Sequence, residues 1–253
     1  MASHAAKRVL VIAGAGNPVG TGAATARMFA KNGYTVALIG REGSDGASAL
    51  VEEINQGGGQ AKSFGISSYS HDEMASVWSS IHAHFPKSRY AVRAAVYNVG
   101  SGVFKPFLDV SPQDLHSCMQ SNVFGAFAFS RNAILTFKGN DIDEPSGKRG
   151  ALIFTGATAS MRGNVMTSAF AAGKWGTRAL SQSLAKEFGK ENIHVAHVII
   201  DGVIALDPKA DPEAVKDTKI KPDSIASSYL YLANQDRSAW TWELDLRSAH
   251  EKW

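Results

Sequence analysis

The chain has 253 residues, of which 44% are hydrophobic and 19% charged, with a net charge of +3. A chain of this length and balance buries a substantial core, and residues 1–253 are read as one globular α/β domain. Lysines and arginines are scattered rather than clustered, which argues against nucleic acid and against an acidic membrane as partners. Cys118 is the sole cysteine, so no intramolecular disulfide can form and a thiolate zinc site is disfavoured. No apolar run approaches the roughly 18 residues of a membrane span. Residues 1–8 lack the apolar core of a secretory leader, and the last three residues form no address signal, so a cytoplasmic location is expected.

Short apolar runs alternate with amphipathic stretches. Residues 9–13 read as a buried strand ending at Gly14, and residues 20–32 as a helix with Ala24, Met28 and Phe29 on one face. Strands follow at 35–39, 61–66, 91–97, 151–155, 194–200 and 243–246. Helices are expected at 47–56, 72–84, within 112–137, at 169–189 and at 223–233. This alternation implies βαβ units, hence a doubly wound parallel sheet with helices on both faces. The polar stretch 139–149 reads as an exposed insertion. Residues 206–222, rich in Lys, Asp and Pro, follow a strand's carboxyl end, where such sheets open their ligand crevice, and read as a substrate lid.

Gly14-Ala15-Gly16-Asn17-Pro18-Val19-Gly20 lies between the first strand and the first helix. Glycines there permit a tight turn and bring backbone N–H groups and a helix N-terminus close to a phosphate. Pro18 removes one of those N–H groups. At the end of the second strand stands Gly40-Arg41. An arginine there can pair with a 2′-phosphate, which favours NADP(H) over NAD(H).

Together with Tyr97-Asn98-Val99-Gly100 after the fourth strand and Phe170-x-x-x-Lys174 in the long second-half helix, these motifs resemble the short-chain dehydrogenase/reductase family over essentially the whole chain. The resemblance implies a cofactor site formed by Gly14, Gly16, Asn17, Pro18, Val19, Gly20, Arg41, Ile66, Asn98, Val99, Gly100, Thr155, Gly156, Lys174, Gly202 and Val203. Pro18 takes the place of a family glycine. Gly65, followed by Ile66, stands where the family usually has an aspartate near the adenine. Asp201-Gly202 replaces Pro-Gly beside the nicotinamide.

The resemblance also assigns catalytic roles. Lys174 matches the lysine that holds the nicotinamide ribose, and Asn122 matches the proton-relay asparagine. Phe170 and Ala157 occupy the positions of the proton-donating tyrosine and the substrate-steadying serine. Losing a general acid typically costs about 10²–10⁴-fold, so an ordinary ketone reductase fits poorly. Three readings remain open. One is a reductase of an imine or iminium in secondary metabolism, since an iminium already carries positive charge and takes hydride without a proton in that step. This resembles an atypical subgroup of fungal indole-alkaloid pathways whose reductases also direct an intramolecular Diels–Alder cyclisation. The second is a carbonyl reductase with a substitute donor among Thr155, Thr158, Ser160, Thr167 and Ser168. The third is a nucleotide-binding protein without turnover. Phe104, Phe107, Met161, Val165, Met166 and Trp175 are candidates to shape an apolar pocket, and Asp109 and Arg131 to meet a charged small-molecule substrate. Family members pair through the two long helices, so a homodimer or homotetramer is expected. His194 and His197 would point to opposite faces of a strand, and no metal site is expected. Trp240, Trp242 and Trp253 read as packing for the last strand or an interface.

Overall fold

The computed structural model describes residues 6–43, 45–144, 146–206 and 216–251. Seven strands form one sheet: β1 (Lys7–Ala13), β2 (Thr35–Arg41), β3 (Ala61–Ile66), β4 (Tyr90–Tyr97), β5 (Gly150–Thr155), β6 (Ile193–Ile200) and β7 (Glu243–Leu246). Their order is β3-β2-β1-β4-β5-β6-β7, and every neighbouring pair is parallel. The helices are α1 (Thr21–Lys31), α2 (Asp45–Gln56), α3 (His71–His84), α4 (Pro112–Met119), α5 (Gly125–Lys138), α6 (Ser168–Phe188) and α7 (Pro222–Asn234).

The side-chain alternation of β1 splits the core into two layers. Val9 and Val11 face one cluster with Trp78 of α3, Phe129 of α5 and the partly buried Leu184 of α6. Leu10 and Ile12 face the other, with Phe29 of α1, Leu50 of α2 and Tyr229 of α7. Both faces of the sheet are therefore covered, which is why its central strands read as continuous apolar runs.

Two local readings change. The helix expected within 112–137 is interrupted by a π turn, Gln120–Phe124, in which the Gly125 N–H reaches back to the Gln120 carbonyl. The stretch 139–149 is not simply an exposed insertion, because Asn140 and Lys148 are buried. The Asn140 amide donates to the Val92 and Arg149 carbonyls at 2.7 and 3.0 Å, and Lys148 Nζ donates to the Gln235 carbonyl at 2.5 Å. These bonds satisfy backbone acceptors at the closed end of the sheet. Of the expected lid, 207–215 lies outside the described residues. Its flanks meet in a parallel bridge between Ile204 and Ile220.

Candidate active site

The carboxyl ends of β1, β2, β4 and β5 border two adjoining cavities. One, of about 470 Å³, is lined by Gly14, Gly16, Gly40, Arg41, Tyr69, Asn98, Val99, Gly100, Ser101 and Ser121. The other, of about 370 Å³, includes Asn17, Gly20, Thr21, Phe104, Thr155, Gly156, Ala157, Phe170, Lys174 and Ile204. Gly14 and Asn98 hold this floor together. Gly14 has φ +91°, and a Cβ there would stand 2.8 Å from the Asn98 carbonyl carbon. The Asn98 amide donates to the Gly14 carbonyl at 2.8 Å. Its Oδ1 accepts from Thr155 at 2.9 Å, and Tyr229 of α7 meets the same threonine hydroxyl at 2.7 Å.

Pro18 and Val19 form the rim. Asn17 Oδ1 accepts from the Val19 N–H at 3.1 Å, and the Gly20 N–H donates to the Asn17 carbonyl at 3.1 Å, so the turn is closed on itself. Arg27 of α1 donates to the Pro18 carbonyl at 2.9 Å and pairs with Glu53 at 2.7 Å, anchoring that rim from behind. Arg41 lies exposed at the tip of β2. Ile66 is in the core, where its carbonyl accepts from the Glu42 N–H at 3.1 Å. Gly202 and Val203 line a separate cavity of about 500 Å³ with Thr158, Arg162, Asn164, Asp201, Thr218 and Glu251.

Lys174 is buried and donates to the Thr155 carbonyl at 3.0 Å. Burial pushes its ammonium down to about 8, with the nearby Cys118 acting in the opposite direction. The π turn presents Asn122 toward it. The Asn122 carbonyl accepts from Thr177 at 2.5 Å, and its amide donates to the Ser101 and Cys118 carbonyls, both at 2.9 Å. Asn122 Oδ1 is buried without a hydrogen-bond donor among the described residues. A Cβ at Gly100 would stand 3.2 Å from Lys174 Nζ and 3.6 Å from that oxygen. Glycine there keeps open the space that both polar groups border. With the close-approach glycines and the open cavities, this orphaned acceptor and buried ammonium fit a dinucleotide whose ribose hydroxyls would meet them.

Phe170 is half-buried, its ring 5.5 Å from that of Phe104 and its centroid 6.0 Å from Lys174 Nζ. The hydroxyl hydrogens of Thr155, Thr158 and Thr167 are engaged, and Ser160 is buried outside this cavity's lining. Ser160 Oγ accepts from the Ala157 N–H at 3.0 Å, Thr158 donates to Asp201 at 2.6 Å, Thr167 donates to the Asn164 carbonyl at 2.8 Å, and Thr155 is held by Asn98. Ser168 is exposed and outside the cavity lining. Of the apolar candidates only Phe104 lines this cavity. Phe107 and Val165 are largely exposed, and Trp175 lies under Arg178. Asp109 and Arg131 are exposed, the first on a 3-10 turn and the second on α5, and neither lines a cavity described here.

Sequence reasoning missed the structural setting of three residues. Asp201 is a buried carboxylate, 2% exposed, bonded by Thr158, by both terminal nitrogens of Arg162 at 3.1 Å, and by Arg247. Its substitution for proline was visible, but its partners lie far apart in the chain. Met166 adopts φ +64° before α6, and its carbonyl accepts from the Lys105 N–H at 3.0 Å, tying together the two loops that flank Phe170. Glu42 follows Arg41 directly and shares its cavity. His194 and His197 do point apart. His194 meets the Leu232 and Thr241 carbonyls and stacks on Trp240, whereas His197 packs beneath Gly156.

A doubly wound parallel sheet with a glycine-rich turn after β1 and a lysine near the open end of β5 defines a dinucleotide-binding α/β protein. The short chain dehydrogenase family pattern matches residues 7–207, and the chain belongs to that family. It is therefore an oxidoreductase by class. It is 26% identical over 196 residues to the 3-oxoacyl-[acyl-carrier-protein] reductase of Bos taurus, covering 78% of this chain and 76% of that protein. Among solved structures, a short-chain dehydrogenase from Rhodopseudomonas palustris superposes with a TM-score of 0.76 at 30% identity, covering 95% of this chain and 98% of that one. A metagenomic short-chain oxidoreductase in complex with NADP shares the fold, with a TM-score of 0.79 at 24% identity, covering 96% and 98%. Among the described residues no helix is long and apolar enough to cross a membrane.

Proposed function

We propose that the chain is an NADP(H)-dependent reductase of an imine or iminium in secondary metabolism. One observation carries the reading: Phe170 and Ala157, neither of which has a proton to give, line the cavity at the positions of the family's tyrosine and serine. Phe104 stands beside them, the hydroxyls of Thr155, Thr158 and Thr167 donate elsewhere, and Ser160 lies outside the lining. NADP(H), when bound, supplies the hydride. Reduction of a ketone leaves an alkoxide that needs a proton, whereas an iminium ends neutral. The described lining of this cavity contains no Asp or Glu, and the Phe170 ring already faces the Lys174 ammonium, so the ring of Phe104 offers the negative potential for a cationic carbon.

Lys174 holds and orients the ribose with Asn122 as the relay asparagine beside it, Arg41 takes the 2′-phosphate, and the amides of the 14–20 turn take the diphosphate. The same aromatic wall supports a second activity, orienting a folded substrate for intramolecular Diels–Alder cyclisation, which needs shape more than acid–base groups. Phe124, Phe127 and Trp175 are exposed on the long helices and suit a homodimer or homotetramer in the cytoplasm.

The test is NADPH turnover with matched imine and ketone panels. The expected result is imine reduction with ketone reduction weaker by about 10²-fold or more. Phe170→Tyr with Ala157→Ser should raise ketone reduction about 10²-fold and leave imine reduction within a few-fold. Ordinary ketone turnover by the unaltered protein would sink the reading.

A further inference from the structure

We infer that Glu42 accepts a hydrogen bond from the amino group of the adenine of NADP(H), using the space left by Gly65. This rests on the cofactor reading above. The Glu42 N–H is fixed to the Ile66 carbonyl at 3.1 Å, so β2 stays joined to β3 as far as this residue. A Cβ on Gly65 would stand 2.7 Å from Glu42 Cγ and 3.5 Å from Oε1. The glutamate therefore folds back across β3 because residue 65 has no side chain.

Its carboxylate has no hydrogen-bond donor and no ion-pair partner among the described residues. It borders a cavity of about 270 Å³ with Arg41, Ser48, Ser63 and Phe64. Gly40 and Arg41 line both that cavity and the 470 Å³ space over Gly14. The tip thus carries a cation and an uncommitted anion side by side. Arg41 suits a phosphate, while a carboxylate repels one and can only accept. At the adenosine end of the dinucleotide the groups that donate are a ribose hydroxyl and the amino group of the base. The carboxylate lies beside Gly65 of β3, and Glu42 lines the smaller cavity but not the one over Gly14 that Arg41 also borders, which favours the base.

The experiment is a calorimetric titration with NADPH and with its deaminated analogue, which carries hypoxanthine in place of adenine. The unaltered protein should bind NADPH about tenfold more tightly than the analogue. Glu42→Ala should close that gap by weakening NADPH alone, and Gly65→Ala, which displaces the carboxylate, should do the same. Equal affinities in the unaltered protein would overturn the assignment. So would a Glu42→Ala change that strengthens or weakens both nucleotides alike. Failure of NADPH to bind at all sinks the cofactor reading and this inference with it, whereas binding without an amino-group gap sinks only the role of Glu42.

Discussion

Thr155 shows how one hydroxyl can fix a site floor. Its hydrogen goes to Asn98 Oδ1, so its oxygen must accept from the Tyr229 hydroxyl, which burial holds well above the usual phenol range. Thr155→Val leaves both partners unpaired in the interior and should destabilise by about 2–3 kcal/mol in urea unfolding. Tyr229→Phe removes the donor and should cost only about 1 kcal/mol. The family motif pointed to Thr155 from the sequence. Tyr229 was not legible, because nothing local in α7 marks a partner across the sheet. Asp201 is similar. Burial works to raise its carboxyl, but the Thr158 and Arg162 bonds and the charges of Arg162 and Arg247 outweigh it, and the group titrates below the usual range. Asp201→Asn should cost about 2 kcal/mol or more, read as a lower urea midpoint, because it loosens two arginines at once.

At the scale of elements, β6 carries an acid-sensitive pair. Burial pushes His194 and His197 down to about 4 from an ordinary 6.5. Between those values the unfolded chain binds more protons than the folded one, so stability falls as pH drops from 6.5 toward 4. His197→Met, which replaces a ring whose two nitrogens have no partner among the described residues, should flatten that limb of a Tm-versus-pH curve. If the curve were unchanged, neither burial nor the missing partners would matter to acid stability. Most elements were legible because apolar runs and periodic faces agree with glycine stops. The π turn was not, since residues 120–124 have no composition that separates π from α. What selects it is tertiary: Thr177 binds the Asn122 carbonyl, and Gly173 lets α6 approach until a Cβ there would stand 3.0 Å from that of Asn122. Gly173→Ala should therefore weaken NADPH binding more than it lowers Tm.

Across the whole molecule, the chain's first half builds β3-β2-β1-β4 and its second half extends the sheet on one side only. That order has a consequence for synthesis. β1 pairs with β2 early, but its other edge waits for β4, some eighty residues later in register from Lys7 to Tyr90. Until then a nascent chain carries a strand whose residues 9–13 are fully buried in the finished protein, with one row of backbone groups bare. Long-range parallel pairing is slow, and exposed apolar edges associate with one another. A ribosome-stalled chain released before residue 90 should aggregate or be held by chaperones. One released after residue 97 closes β1 on both sides but passes the bare edge to β4, so it should stay dependent on chaperones until β5 is made.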